Sequence, residues 1–126
     1  MLMPLTIPDV LAQFARNCPE LRGAVVATHD GLVLASTERF SGDIPAACAA
    51  SLSVHVDADL SFIQDTRFTE TMFWTPPGIW YLARLEHNHL LLAYSQSADH
   101  AGALRLAGQI ALQQLNPMLT PLAQAA

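Results

Sequence analysis

The chain has 126 residues, 52% of them apolar and only 13% charged, with a formal net charge of −5. Its six basic residues are all arginine, so no basic stripe exists to neutralise phosphates, and nucleic acid and anionic membrane are poor candidates as partners. So few charges cannot cover the surface of so small a domain: either that surface is unusually apolar or part of it is buried against a partner.

One core and one domain are expected at this length. The start, MLMPLTIPDVL, has no basic residue and carries Pro4 and Pro8, unlike a signal peptide or a membrane-spanning segment. Cys18 and Cys48 sit in apolar stretches without CxxC spacing. Two free buried thiols in a reducing, cytoplasmic compartment are therefore expected.

Thr6 and Asp9 make a Thr-x-x-Asp pattern that resembles a capping box. Val10, Leu11, Phe14 and Cys18 follow at helical spacing, predicting a first helix from about Ile7 to Asn17 that Pro19 ends. Two short apolar runs, 23–28 and 32–36, then flank His29-Asp30-Gly31, a strong hairpin signal. Asp43 is placed to cap a second helix, about Ile44 to Gln64, with Pro45 in its first turn. That helix carries two apolar stripes: Leu52, Val56, Leu60 and Ile63, and a small-residue patch of Ile44, Ala47, Ser51, Val54, Ala58 and Phe62. One stripe serves a sheet, and the other implies a second surface to pack on.

Residues 67–96 read as a three-strand meander. Arg67 to Thr75 is rich in β-branched and aromatic side chains, Pro76-Pro77-Gly78 turns the chain, and Ile79 to Glu86 and His89 to Gln96 follow. The last two strands are apolar on both alternating faces, as in a sheet covered on both sides. Ser97-Ala98-Asp99 is read as the cap of a last helix from about His100 to Leu115, striped by Leu104, Ala107, Gly108, Ala111 and Leu115. Residues 116–126, with two prolines, are expected to be a flexible tail. Five strands at ~4.8 Å spacing span ~24 Å, more than twice the ~10 Å that one helix covers. Two helices cover one face and the third leaves about half of the other bare, so a dimer mate is expected to supply the missing cover.

The segment Gly23-Ala-Val-Val-Ala-Thr-His-Asp-Gly-Leu-Val-Leu-Ala-Ser36, following Cys18-Pro-Glu-Leu-Arg22, resembles the first hairpin of the Roadblock/dynein light chain family. Residues 46–52 are similar to the opening of its central helix, and residues 90–94 and 102–107 to its last strand and last helix. The resemblance spans residues 7–115. It implies an α/β chain folded as a profilin-like α+β sandwich: a five-stranded antiparallel sheet of order 2-1-5-4-3, two helices on one face and one on the other. It further implies a non-catalytic homodimer, without cofactor or bound metal, that regulates or scaffolds a Ras-like small GTPase of the bacterial gliding-motility type. The dimer would form through the third strand (Phe68, Met72, Phe73) and the middle helix (Ala47, Ser51, Val54, Ala58, Phe62). The third strand has no lysine or proline to protect it as a free edge, which agrees. His55, Asp59, Trp74 and Trp80 are the candidates for docking the partner. Three departures from the family's usual pattern are the tryptophans around Pro76-Pro77-Gly78, the His87-Asn88-His89 turn and the proline-containing tail.

Other chemistry is poorly supported. His87 and His89 are spaced to share a face, but no third or fourth metal ligand is identifiable, so solvated turn histidines are expected. Cys48 in an alanine-rich helix reads as packing and not as a nucleophile. Neither GxxxxGK nor GxGxxG occurs, and nucleotide binding through a phosphate loop is not expected. The alternative function is a profilin-like module that senses a small molecule in a bacterial signalling system.

Overall fold

The computed structural model describes residues 4–96 and 98–119. Helix α1 (Ile7–Asn17) opens with the reciprocal cap expected: the Thr6 hydroxyl accepts from the Asp9 N–H at 3.2 Å, and the Asp9 carboxylate accepts from the Thr6 N–H at 3.0 Å. Its buried stripe is Val10, Leu11 and Phe14. Strands β1 (Leu21–Ala27) and β2 (Val33–Ser36) are joined by a loop in which Gly31 takes a φ of 93°, a conformation glycine adopts without a Cβ penalty. Thr28 braces that loop, its N–H bonding the Leu32 carbonyl and its hydroxyl accepting from the Leu32 N–H.

After a single 3₁₀ turn (Glu38–Phe40) comes helix α2 (Ile44–Ser61), then β3 (Glu70–Thr75), β4 (Gly78–Arg84), β5 (Leu90–Ser95) and helix α3 (Ala101–Leu115). The strands form one antiparallel sheet in the order β2-β1-β5-β4-β3. Between β4 and β5, His87 and Asn88 both adopt positive φ (61° and 64°). Two successive left-handed residues make the turn that matches strand twist, which is why no glycine is needed once Asn88 is there.

Strand alternation sorts the core into two layers. Ala24, Val26, Tyr81, Leu91 and Ala93 face α1 and α3, where they meet Phe14, Leu104 and Leu115. Val25, Leu82, Leu90 and Leu92 face the other way, onto Ala46 and Ala49 of α2. Both faces of the central strands are therefore apolar, as their sequence required.

Several local expectations are corrected. Asp43 stands at the N-cap of α2, but with helical backbone angles and no side-chain cap bond, and the N-cap of α3 is His100, not Asp99, again without a side-chain cap bond. Ser97 lies outside the described residues. Helix α2 ends at Ser61, three residues earlier than its apolar pattern suggested, and β3 begins at Glu70, not Arg67. The intervening Phe68 turns inward and is buried. Cys18 is buried as expected, but Cys48 is exposed. His89 is buried while His87 is solvated, because the tight turn sends only its tip to water. Residues 116–119 are docked, not loose: Leu119 is buried against the α1/α3 layer, and Asn116 accepts the Glu86 N–H at 2.9 Å. Residues 120–126 of the expected tail lie outside the described residues.

Candidate functional site

Helix α2 rests on the sheet through Ala46, Ala49 and Ser53, with Ala50 and Val56 at the margins. Neither of the two stripes read from the sequence is the inward one. The bulk in this layer comes from the sheet side (Phe68, Leu82, Leu90, Leu92), so the helix fits only with small residues underneath. Large apolar side chains are displaced outward: Ile44 is 77% exposed, Val54 60% and Phe62 89%. With Ala47, Ser51, His55 and Ala58, which are also exposed, they make an outer face that is mostly apolar. Leu52, Leu60 and Ile63 are exposed as well, so the helix carries apolar residues on more than one side while its own sheet covers only one.

Asp57 fixes where this helix sits. Arg84 of β4 donates to it twice, Nη2 to Oδ2 at 2.7 Å and Nη1 to Oδ1 at 3.4 Å, and the Phe68 N–H donates to Oδ1 at 3.0 Å. Arg84 also bonds the Phe68 carbonyl and lies 4.5 Å from the centre of the Phe68 ring. Burial alone would raise the Asp57 carboxyl, but the Arg84 and Phe68 hydrogen bonds and the Arg84 and Arg67 charges outweigh it and hold it below its ordinary value. The cluster ties the C-terminal half of α2 to β4 and to the segment that leads into β3.

That edge is β3, which pairs with β4 alone. Met72 and Phe73 are half-buried on opposite faces, Met72 toward α3 and Phe73 toward α2. A second bracket holds the strand: Glu70 accepts from the Tyr81 hydroxyl at 2.7 Å and from Arg105 Nε of α3 at 2.6 Å. Desolvation would raise the Glu70 carboxyl, but these donors leave it below its ordinary value, while burial and Glu70 push the Tyr81 hydroxyl well up.

Of the candidate interface residues, Ala47, Ser51, Val54, Ala58 and Phe62 are exposed on α2, while Met72 and Phe73 are half-buried on opposite faces of β3. Phe68 is buried under Arg84. The four docking candidates do not gather. His55 and Asp59 are exposed one turn apart on α2, with the His55 Nδ1 2.7 Å from the Ser51 carbonyl. Trp74 pairs with Ile79 on the α1/α3 face, whereas Trp80 pairs with Phe73 on the α2 face, stacked on Phe40 and tilted against Tyr94. Sequence reasoning missed the Asp57–Arg84 and Glu70–Arg105 brackets, whose partners lie 27 and 35 residues apart and leave no local signal. It also missed a cavity between Arg22 and Arg39.

Among the described residues, no group of three His, Cys, Asp or Glu side chains could hold a metal ion, and no helix is long and apolar enough to cross a membrane. No family model matches the sequence, and no curated protein matches it. The architecture matches solved structures throughout. MglB of Myxococcus xanthus superposes with a TM-score of 0.80 at 13% identity, covering 89% of this chain and 93% of that one. The Roadblock/LC7 domain from Streptomyces avermitilis gives 0.78 at 16%, covering 88% and 95%. The fold is that of the Roadblock/LC7 domain. The gliding protein MglB from Thermus thermophilus has the same fold, at 0.77 and 21% identity over 88% and 86%. In this chain the sheet order leaves β2 and β3 as edges, and among the described helices α2 stands alone on its face.

Proposed function

We propose that this chain is a cytoplasmic, non-catalytic regulator or scaffold of a Ras-like small GTPase, a bacterial Roadblock protein of the gliding-motility type that acts as a homodimer. The observation that carries the reading is the outer face of α2, apolar and uncovered, in a chain whose edge strand β3 has no protective charge of its own beyond Glu70. A second copy answers both needs at once. The β3 edges of two copies pair antiparallel, making one continuous sheet, while Ala47, Ser51, Val54, Ala58 and Phe62 of each α2 meet across the two-fold axis. Small residues at the centre of that patch permit close helix approach, and Phe62 supplies bulk at its end. Met72 and Phe73 lie beside the seam, with Phe68 as their support from within.

The GTPase assignment is supported by the hairpin resemblance together with the fold shared with the MglB proteins. The partner is proposed to dock on the polar rim of α2 at His55 and Asp59. Trp74 and Trp80 belong to opposite faces of the sheet and do not serve one docking surface together.

Two experiments test the proposal. Pull-down with a Ras-like GTPase encoded near this gene should retain the GTP-locked form and not the GDP form; equal or absent binding of every candidate would sink the regulator reading. For the dimer, light scattering of Ala58→Glu and Phe73→Asp should give monomers. Ala58 is exposed, so its variant keeps the fold, and dimers persisting in both variants would mean the interface lies elsewhere.

A further inference from the structure

At the end of the sheet away from the Thr28–Leu32 loop, Arg22, Arg39, Phe40, Tyr94 and Gln96 enclose an open cavity of about 440 Å³. That lies within the ~300–1,000 Å³ range of small-ligand sites. Its charge is out of keeping with the rest of this acidic chain. Arg67, Arg84 and Arg105 are ion-paired to Asp57 or Glu70, whereas among the described residues neither Arg22 nor Arg39 is paired to a carboxylate. Arg22 Nε is aimed by Gln96, donating to its Oε1 at 2.5 Å, and Arg39 makes no hydrogen bond among the described residues. Glu38 lines an adjoining hollow together with Arg22 and Arg39, without an ion pair to either.

The floor is aromatic and built close to the backbone. The Phe40 and Trp80 rings stack with centroids 5.9 Å apart, and those of Trp80 and Tyr94 are 4.5 Å apart. A Cβ at Gly23 would overlap the Phe40 ring; one at Gly78 would overlap the Ser95 carbonyl and press on the Tyr94 hydroxyl. Glycine at both positions is what lets the two rings approach the strands. Two guanidiniums without an ion pair, beside aromatic rings, match one ligand chemistry. Guanidinium forks pair with carboxylate or phosphate, and ring faces stack on a flat ring.

We propose that this cavity binds a small molecule carrying an oxyanion on a planar ring, the anion held by Arg39 and Arg22 and the ring laid against Tyr94 and Phe40. No glycine-rich phosphate loop is required, because the positive charge comes from side chains. The site lies two to three strands from β3, or ~10–14 Å, and stays open when that edge is paired. It is also where a small-molecule-sensing role would have its ligand.

Amide NMR titrations of the full chain test this with phenyl phosphate, GMP, inorganic phosphate and phenol as probes. Phenyl phosphate or GMP should shift the amides of Gly23, Phe40 and Tyr94, and bind ~10-fold or more tighter than phosphate or phenol alone. A preference for GMP identifies a nucleotide, a preference for phenyl phosphate a simpler aryl acid. Arg39→Ala, at an exposed position, should weaken both ring phosphates about tenfold. Tyr94→Leu should weaken the ring phosphates and leave inorganic phosphate unaffected. The proposal is overturned if these amides do not move at millimolar probe, if Arg39→Ala binds as well as the parent, or if inorganic phosphate binds as tightly as the ring phosphates.

Discussion

Helices α1 and α2 lie on opposite faces of one sheet and are built on different rules. In α1, Val10, Leu11 and Phe14 point inward and polar residues point out, so polarity alone separates its two sides. In α2 the inward residues are Ala46, Ala49 and Ser53, while Ile44, Val54 and Phe62 look outward. There the sides are separated by size. A helix with one surface to meet sorts its residues by water affinity. A helix with two surfaces keeps apolar residues on both and places the small ones where the space is tight. α2 also needs a different anchor. Its own inward side chains being small, the Asp57–Arg84 pair takes over the positioning that Phe14 provides for α1.

This contrast can be broken by mutation. The largest effect is expected at the inward face of α1: Phe14→Ala should cost about 3–5 kcal/mol, read as a fall in urea midpoint. Next is the anchor of α2. Asp57→Ala leaves Arg84, whose side chain is only 15% exposed, without its carboxylate, and should cost about 2–3 kcal/mol. A loss there as small as that of an ordinary surface pair would mean that α2 is held by its alanines alone.

Acid should act through the same anchor. Asp57 and Glu70 are held below their ordinary values when folded, so their contribution is complete above those values, near 3.8 and 4.5, and is lost as pH falls through the depressed folded values. Urea midpoints measured from pH 7 down to pH 2 should therefore decline at the acid end, and the Asp57→Ala variant should decline less than its parent. An equal slope in both would remove Asp57 from the account.

Removing the α1 cap by Thr6→Ala should cost only about 1 kcal/mol. The smallest effect belongs to the outer face of α2. In the monomeric Ala58→Glu background, Phe62→Ser should change stability by no more than about 0.5 kcal/mol, since that ring is 89% exposed. In the parent chain, the same substitution should weaken self-association in dilution series followed by light scattering. A large stability loss in the monomer would show that the outer face packs within the chain, and the comparison with α1 would collapse.

The order and type of every main element were legible in the residues, as were the two-sided burial of the central strands and the cap at Thr6. Each of these rests on a local pattern: a period of two or of 3.6, an Asp-Gly turn, a Thr-x-x-Asp box. The sheet order was legible only through the hairpin resemblance. Tertiary structure alone decided which side of α2 is the inside, since a helix with more than one apolar side has no preferred one until the bulk of Phe68, Leu82, Leu90 and Leu92 is in place beneath it. It alone buried Phe68, separated Trp74 from Trp80, and joined Asp57 to Arg84 and Glu70 to Arg105. It also brought Arg22 and Arg39 together over Tyr94. Those pairings link residues far apart in the chain, and their energies depend on distances that no sequence period encodes.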